Sequence, residues 1–379
     1  MEGKEIELGS VIKDIAAGPF GSNLKVSCFV AEGFPIIDGA NLKGYKVTDN
    51  ITKFVTEEKA RSLSRSIARK GDVVVTISGT LGQISYIPEE SKYEEYLCSQ
   101  RQFRVTFDVT KVYVPFLVFY FHTYEGQHKI LSFANQTGVP ALAQPLKNFR
   151  QIRLFLPQLD EQKRIASVVE SLNSRIETNA KINDNLEQQA FALFDSMFPA
   201  VATGDKAIGD FITPRRGKNL LSKDAIWGTV PVVAGGLEPS TYHNVSNTTA
   251  PVLTISASGA NSGFVQLWDI PVWSSDSSFI DSSMTPNVYF WYVMLKKRQK
   301  EIYDSQTGSA QPHIYPQHIA VMPVIDLPEA DIVRFTDHIT PLFRMIGANK
   351  AENDRLAGIR DSLLPKLMSG ELDVSDIEL

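Results

Sequence analysis

Residues 160–198 read DEQKRIASVVESLNSRIETNAKINDNLEQQAFALFDSMF, and their pattern of apolar residues is repeated 170 positions later. The apolar residues recur in steps that alternate between four and three, which indicates a helix that buries one stripe of its surface. The first stripe consists of Ile165, Val169, Leu172, Ile176, Leu186, Leu193 and Met197. Its counterpart consists of Phe335, Ile339, Leu342, Ile346, Leu356, Leu363 and Leu367. We therefore predict two long helices of one register, each roughly 55–60 Å long at 1.5 Å per residue.

Two asparagines interrupt each stripe. Asn179 and Asn183 in the first helix correspond to Asn349 and Asn353 in the second. Because a lone helix would expose its stripe to water, we predict that the two helices pack on each other as an antiparallel coiled coil. Asn179 then faces Asn353 and Asn183 faces Asn349, and buried asparagines of this kind specify the register of a coiled coil. Asp160 is the predicted N-cap of the first helix.

Further apolar residues lie beside the stripe, and they indicate a wider apolar face than a two-stranded coil needs. These residues are Val168, Ile182, Phe191, Phe194, Phe198, Phe343, Ile359, Leu364 and Met368. One interpretation is a second contact surface for another helical partner. The alternative for the whole pattern is that both long helices are core helices of their own domains.

The segments outside the helices are also duplicated, in the same order and at drifting offsets. Residues 74–87 and 252–267 each contain two apolar runs around a turn rich in Gly and Ser, which predicts a strand–turn–strand unit. Pro115 and Pro286 then open matching apolar segments, and proline is typical of the first turn of a helix.

A Gln-Thr-Gly triplet follows each of these helical segments, at residues 136–138 and 306–308. The ordered matches predict an α+β fold with a pseudo-two-fold internal repeat. Two similar β-rich domains, at 1–158 and 201–328, are separated by the antiparallel coiled coil of two long helices, at 159–200 and 329–379. Because the helices keep one length while the domains vary, we expect the coil to hold the domains at a fixed distance.

Composition limits the possible classes of protein. The 379 residues include no apolar run long enough for a membrane span and no signal peptide, so we expect neither. The only cysteines are Cys28 and Cys98, which leaves no disulfide framework or zinc cage and makes a reducing cytoplasm the expected location. The net charge is −5, so the chain lacks the strongly basic composition that is usual for nucleic-acid-binding domains.

Two segments connect the chain to a known family: FLPQLDEQKRIASVVESL at 155–172 and IRDSLLPKLMSGELDV at 359–374. With the duplicated plan, they closely resemble the specificity (S) subunits of Type I restriction-modification systems, over essentially the full chain. The most specific element is the Pro-x-x-x-Glu-Gln-x-Arg-Ile pattern at 157–165. The second half has a degenerate counterpart at 323–326 that lacks the Glu-Gln-x-Arg-Ile part.

The resemblance implies a non-catalytic subunit with two target recognition domains, each of which reads one half of a bipartite sequence in double-stranded DNA. It also implies that the long helices set the spacing of the half-sites and dock two modification (methyltransferase) subunits. Two restriction subunits can join this core. S-adenosylmethionine, ATP and Mg are expected on the partner subunits, and no cofactor or membrane contact is expected for this chain. The residues agree, because no phosphate-binding loop or metal-ligand pattern is present.

Direct readout of DNA needs donors and acceptors that reach base edges, together with groups that contact phosphates. In the first domain the candidate DNA-binding residues are Gly21, Ser22, Asn23, Ser78, Thr80, Gln83, Arg101 and Gln102. In the second domain they are Arg215, Arg216, Lys218, Ser258, Asn261, Gln311 and His313. Arg101 and Gln102 carry the side chains suited to guanine and adenine respectively.

The alternative is that these residues were selected for the conformation of turns. The two Gln-Thr-Gly loops in particular are expected to be scaffold or phosphate contacts, because the two domains need not read the same bases. A rival class of function is a non-enzymatic coiled-coil scaffold whose β-rich domains bind proteins or glycans. The acidic net charge favours this rival, whereas the family resemblance favours the DNA specificity subunit.

Overall fold

The computed structural model describes residues 2–135, 138–308 and 311–374. The described chain divides into two compact units. One unit contains the residues up to 174 together with those from 356 onward, and the other contains residues 175–355. Each unit is therefore built from one β-rich block and from segments of two long helices.

The first block precedes the first long helix. Its strands are β1 (Gly3–Glu7), β2 (Ile12–Ala17), β3 (Phe34–Ile37), β4 (Phe54–Val55), β5 (Ile67–Arg69), β6 (Val73–Thr76), β7 (Ile84–Tyr86), β8 (Glu95–Cys98), β9 (Gln102–Phe107) and β10 (Arg153–Pro157). Its helices are α1 (Glu57–Ser62), α2 (Val114–His122), α3 (Tyr124–Leu131) and α4 (Pro145–Gln151), and the long helix α5 (Leu159–Met197) follows. One sheet has the order β2-β9-β6-β7, a second has the order β4-β3-β8-β5, and β1 pairs with β10.

The second block lies between the long helices. Its strands are β11 (Lys206–Ala207), β12 (Arg215–Arg216), β13 (Val230–Val233), β14 (Thr241–His243), β15 (Val252–Ser256), β16 (Val265–Trp268), β17 (Trp273–Ser274), β18 (Ser277–Asp281) and β19 (Pro323–Val324). Its helices are α6 (Val288–Lys297), α7 (Gln299–Asp304) and α8 (Pro316–Ala320), and the long helix α9 (Glu329–Ser369) follows.

The two blocks share one topology. The sheet order β12-β18-β15-β16 repeats β2-β9-β6-β7, and the pair β11-β19 repeats β1-β10. The second sheet is repeated as β14-β13-β17, in which β13 pairs in parallel with β17 as β3 does with β8. The predicted α+β fold with two similar β-rich domains is confirmed.

A buried helix lies in the core of each block. Every side chain of α2 from Val114 to Phe121 is buried, and so is every side chain of α6 from Val288 to Leu295. A helix that is apolar on all sides must lie inside the protein, because it has no face that water can solvate. Both helices pack with the strands of their own block.

In the part of the chain that the structure describes, no helix has the length and apolarity that a bilayer crossing requires.

The long helices bury the predicted stripe. The coiled-coil residues are buried or half-buried at Ile165, Val169, Leu172, Ile176, Asn179, Asn183, Leu186, Ile339, Leu342, Ile346, Asn349, Asn353, Leu356 and Leu363. Near the start of α5, Ile165 and Val169 join the first core together with Leu364 and Leu367 of α9. The alternative interpretation, in which the long helices are core helices of the domains, is therefore correct for the start of α5 and the end of α9.

The central asparagines pair as predicted, and all four lie in the second unit. Asn179 donates a hydrogen bond from Nδ2 to Asn353 Oδ1 at 2.8 Å, and Asn349 donates one to Asn183 Oδ1 at 2.8 Å. The earlier asparagine of α5 thus meets the later asparagine of α9, and the later one of α5 meets the earlier one of α9. The two helical segments therefore run antiparallel. Since Asn179 is 1% exposed, this pair is a buried polar contact in an apolar seam.

Two predictions about the long helices are wrong. Asp160 is not an N-cap, because α5 already begins at Leu159 and places this carboxylate in the first turn. The wider apolar face is mostly not a free contact surface. Its buried members pack against the β-rich blocks, and they are Val168, Phe194, Phe198, Phe343, Leu364 and Met368. The sequence pattern could not distinguish them from exposed residues, because it does not show which residues a neighbouring block covers. Ile182 and Ile359 remain exposed, at 41% and 40%.

The Gln-Thr-Gly loops are built alike where the structure describes them. Gln136 and Thr137 lie outside the described residues. Gly138 and Gly308 both have positive φ angles, +81° and +95°, a conformation that glycine adopts without steric cost. Gln306 donates from its side-chain amide to the Ser262 carbonyl at 2.7 Å. These contacts support the scaffold interpretation for the second loop.

Candidate nucleic-acid interface

A cleft of about 580 Å³ opens in the first unit at the ends of β3, β6 and β9. It brings together predicted DNA-binding residues that are up to 24 positions apart in sequence, namely Ser78, Thr80, Gln83, Arg101 and Gln102. The turn after β6 forms because Gly79 and Gly82 adopt positive φ angles of +95° and +86°. This turn leaves Thr80 exposed at the rim and Ser78 half-buried.

A second cleft, of about 610 Å³, adjoins the first and shares Ser78, Gln100 and Arg101 with it. Ile77 and residues 17–21 and 144–147 supply the rest of its wall. Gly21, the first residue of a short helical turn that also contains Ser22 and Asn23, lines this cleft. All three residues of that turn are exposed.

The two candidate glutamines are already engaged by the protein. Gln102 is 1% exposed and accepts a hydrogen bond from the Ser99 hydroxyl. Gln83 donates to the Gly39 carbonyl at 2.9 Å and accepts from Thr76 Oγ1 at 3.0 Å. The assignment of Gln102 to adenine therefore needs correction, because a buried amide with a protein partner supports the cleft wall and is not free to meet a base edge.

Charge in the two clefts is positive although the chain as a whole is acidic. The carboxylate of Asp38 is neutralised by Lys53, whose Nζ lies 2.6 Å from Asp38 Oδ2. Lys147 lines the second cleft and Arg101 lines both. Arg101 is exposed, and among the described residues no side chain bonds to its guanidinium. Of the predicted DNA-binding residues of the first unit, Arg101 alone offers a free cation.

A polar network beneath the clefts fixes the central strand β9. Arg104, 7% exposed, donates from Nη2 to Asp14 Oδ2 at 2.6 Å, and this bond lowers the pKa of Asp14. Burial raises the pKa of Asp72, which accepts from Thr106 Oγ1 at 2.5 Å. Burial also raises the pKa of the Cys98 thiol to about 12, so this cysteine is a core residue and not a reactive one.

In the second unit a smaller set of the predicted residues comes together. Arg216 donates from Nη2 to Asp276 Oδ1 at 2.6 Å, and the Ser258 hydroxyl donates to the other oxygen of the same carboxylate. Ser258 also forms a backbone bridge with His313, whose ring stacks on Tyr315 at 5.9 Å between centroids. This cluster occupies the ends of β15 and β18.

The remaining candidates of the second unit are dispersed. Arg215 precedes Arg216 in β12, and successive side chains of a strand point to opposite faces of the sheet, so the two arginines cannot serve one surface. The backbone of Lys218 is fixed by a hydrogen bond, in which its carbonyl accepts from Trp273 Nε1 at 2.8 Å. Asn261 is half-buried and Gln311 is exposed, each in a turn.

Sequence reasoning missed Lys53, Lys147 and Asp276. Asp276 could have been found by aligning β18 with β9, because it precedes β18 as Arg101 precedes β9. Lys53 reaches the first cleft from a loop and Lys147 reaches the second from α4, and no local pattern marks either of them. Across residues 2–135, 138–308 and 311–374, there is no group of three or more His, Cys, Asp or Glu side chains that could hold a metal ion.

Comparison with known proteins agrees with this geometry. Residues 27–188 match the family described as the Type I restriction modification DNA specificity domain. The Type I restriction enzyme MjaIX specificity subunit of Methanocaldococcus jannaschii is 23% identical over 429 residues, which cover 99% of this chain and 98% of that protein. The putative type I specificity subunit S.MpnORF638P of Mycoplasma pneumoniae is 23% identical over 319 residues, which cover 79% and 83%.

A solved structure has the same fold. It is the S subunit of a Type I restriction-modification system from M. genitalium, which is 19% identical and aligns with a TM-score of 0.56 over 97% of this chain and 96% of that one. The shared fold agrees with the duplicated topology of the two blocks. Residues 27–188 thus belong to the family of the Type I restriction modification DNA specificity domain, and over nearly its full length the chain is similar to Type I specificity subunits.

Proposed function

We propose that this chain is the non-catalytic DNA sequence-specificity subunit of a Type I restriction-modification complex, in which each β-rich block reads one half of a bipartite target. The observation that carries the proposal is the duplicated scaffold with different polar side chains at equivalent ends of its strands. A duplicated scaffold presents two similar surfaces to DNA. Different side chains at the same places allow the two surfaces to recognise different bases.

The clefts of the first unit have the chemistry that such a role requires. Arg101 and Lys147 supply positive charge, and the turn at Ser78–Thr80 supplies hydroxyl and backbone groups at the rim. Phosphate contacts position a protein on DNA, whereas groups that reach base edges specify the sequence. The surface therefore has candidates for both kinds of contact. The acidic net charge of the chain does not oppose DNA binding, because the local charge at the clefts is positive.

Partner subunits supply the chemistry in this proposal. Two methyltransferase subunits, and restriction subunits where the complex has them, join the specificity subunit on DNA. S-adenosylmethionine, ATP and Mg belong to those subunits. Ile182 and Ile359, which remain exposed on the long helices, are the members of the predicted apolar face that are still available to a partner.

The test is methylation in cells. The chain is co-expressed with its cognate methyltransferase subunit, and modified adenines and cytosines are mapped by long-read sequencing of the host genome. We expect one bipartite motif with two specified half-sites and an unspecified gap, and no modification when this chain is omitted. Modification that is independent of this chain, or absent in its presence despite assembly with the methyltransferase, would contradict the proposal.

A further inference from the structure

Four backbone hydrogen bonds give a residue-by-residue equivalence between the ends of the two main sheets. In the first unit, Ile77 donates its N–H to the Arg101 carbonyl at 2.7 Å, and Gly18 donates to the Gln102 carbonyl at 2.8 Å. In the second unit, Ala257 donates to the Asp276 carbonyl at 3.1 Å, and Gly217 donates to the Ser277 carbonyl at 2.9 Å. Arg101 and Asp276 therefore occupy the same position of the scaffold.

The equivalence extends to the neighbouring strand. Ala17 faces Phe103 across the ladder in the first unit, and Arg216 faces Ser278 in the second, each one residue before the equivalent glycine. Ala17 is thus the counterpart of Arg216. We call the end of the main sheet around these residues the corner of each unit. Each corner carries a guanidinium, but the two come from strands that are not equivalent. Arg101 lies at the start of β9, whereas Arg216 lies in β12, the counterpart of β2.

The two guanidiniums also differ in how they are held. Arg101 lines both clefts and is free of side-chain partners within the described residues. Arg216 is held by Asp276, and Asp276 in turn accepts from Ser258, the counterpart of Ser78. Arg216 and Ser258 each donate to a different oxygen of Asp276. The carboxylate therefore orients the guanidinium of Arg216 and leaves the remaining N–H groups of that guanidinium available.

We propose that this corner is a guanine-reading position in both units, with Arg101 contacting the base in the first half-site and Arg216, positioned by Asp276 and Ser258, contacting it in the second. This inference rests on the proposed function and adds the residues and the base. A guanidinium can donate two hydrogen bonds to O6 and N7 of guanine in the major groove, which no other base offers in that geometry. Because the two arginines come from β-strands that are not equivalent, their guanidinium groups reach the DNA duplex at different places. The guanine therefore need not occupy the same position in each half-site.

The experiment uses the complete complex with its methyltransferase and long-read methylome sequencing. Arg101→Ala is expected to relax the preference for guanine at one position of one half-site by roughly 5- to 150-fold, the discrimination expected of one bidentate contact, and to leave the other half-site unchanged. Arg216→Ala should do the same in the other half-site. Arg101→Lys and Arg216→Lys should also relax the position, because an ammonium keeps the charge but loses the planar pair of donors.

Asp276→Asn tests the positioning residue. It should relax the same position as Arg216→Ala while the complex still assembles, because the asparagine keeps the shape of the side chain but holds the guanidinium more weakly. Lys206→Ala is the control, since it removes an exposed cation from β11, which belongs to a different sheet from β12, and it should leave both half-sites intact. Arg153→Ala, on β10, is the corresponding control for Arg101.

The outcomes separate the two levels of the proposal. A uniform loss of methylation at all sites, with unchanged sequence preference, identifies a phosphate contact and overturns the guanine assignment while the proposed function stands. An unchanged motif in Arg101→Ala and Arg216→Ala would overturn it as well. If the wild-type complex modifies no specific bipartite motif, the proposed function fails first and this inference fails with it.

Discussion

Individual glycines decide whether the corner beneath the candidate DNA surface can form. A Cβ atom on Gly18 would lie 1.9 Å from the Ser99 carbonyl oxygen, and a Cβ on the equivalent Gly217 would lie 2.5 Å from the Ser274 carbonyl oxygen. In both units the strand can approach the neighbouring segment this closely because the residue has no side chain. The reason for each glycine is thus steric.

We expect Gly18→Ala to lower the free energy of unfolding by about 1–3 kcal/mol or more, because the added methyl group must displace backbone. Thermal and urea unfolding of the whole chain measure the loss. Gly44→Ala is the control, since a Cβ there meets nothing within 4 Å. Equal stability of Gly18→Ala and Gly44→Ala would show that the corner is not packed as described.

The long helices are held in register by polar contacts within an apolar seam. In the second unit Asn179 donates to both Asn353 and Glu352 at 2.8 Å, and Arg175 pairs with Glu352 at 3.1 Å. The predicted asparagine pairing followed from one observation, the shared 170-residue offset. The prediction of a broad free face failed because apolar periodicity reports burial and does not report what covers the residue.

We expect Asn179→Ala to destabilise the chain by about 1–3 kcal/mol, because it leaves buried polar partners unsatisfied. Replacing both partners, as Asn179→Leu with Asn353→Leu, should cost less than the sum of the single changes, because both ends of the buried hydrogen bond are removed together. Midpoints of thermal unfolding give the comparison. Gln189→Ala, which removes an exposed side chain of α5, should change stability by no more than about 0.5 kcal/mol. Strict additivity of the two leucine substitutions would argue against a coupled pair.

At the scale of the whole molecule, the two blocks are repeats whose scaffold is common and whose polar corners differ. Their sheet orders match, and their equivalent hydrogen bonds match within a few tenths of an ångström. Insertions and deletions are confined to the segments between these shared features. A block should therefore be exchangeable as a unit.

We expect exchange of residues 205–328 for the matching block of a similar specificity subunit to change one half-site and leave both the other half-site and the gap unchanged. The physical reason is that the exchanged segment carries the strand ends proposed to read bases in one unit, whereas both long helices stay the same. Methylome sequencing of cells that express the chimera with the methyltransferase gives the result. A chimera that altered both half-sites, or the gap alone, would contradict the assignment of sequence reading to the β-rich blocks.

Several features could be predicted from the sequence because they depend on local periodicity or on linear repetition. The two helices follow from apolar residues spaced by three and four, and the asparagine pairs follow from the 170-residue offset. The repeat of the β-rich blocks follows from matched segments in one order. The candidate DNA-binding residues followed from side chains that can reach base edges, and Ser78, Thr80 and Arg101 do meet in one cleft.

The tertiary structure decided which of the candidates are free to act. Gln102 and Arg101 are neighbours in sequence, yet the first is buried against Ser99 and the second is exposed. Arg216 pairs with Asp276, which is 60 residues away in sequence, and Lys53 reaches the cleft from a loop without a motif. Such partnerships depend on the register of strands that are distant in sequence. Periodicity within one segment determines which face of an element is buried, but it carries no information about which side chain of another segment will lie opposite.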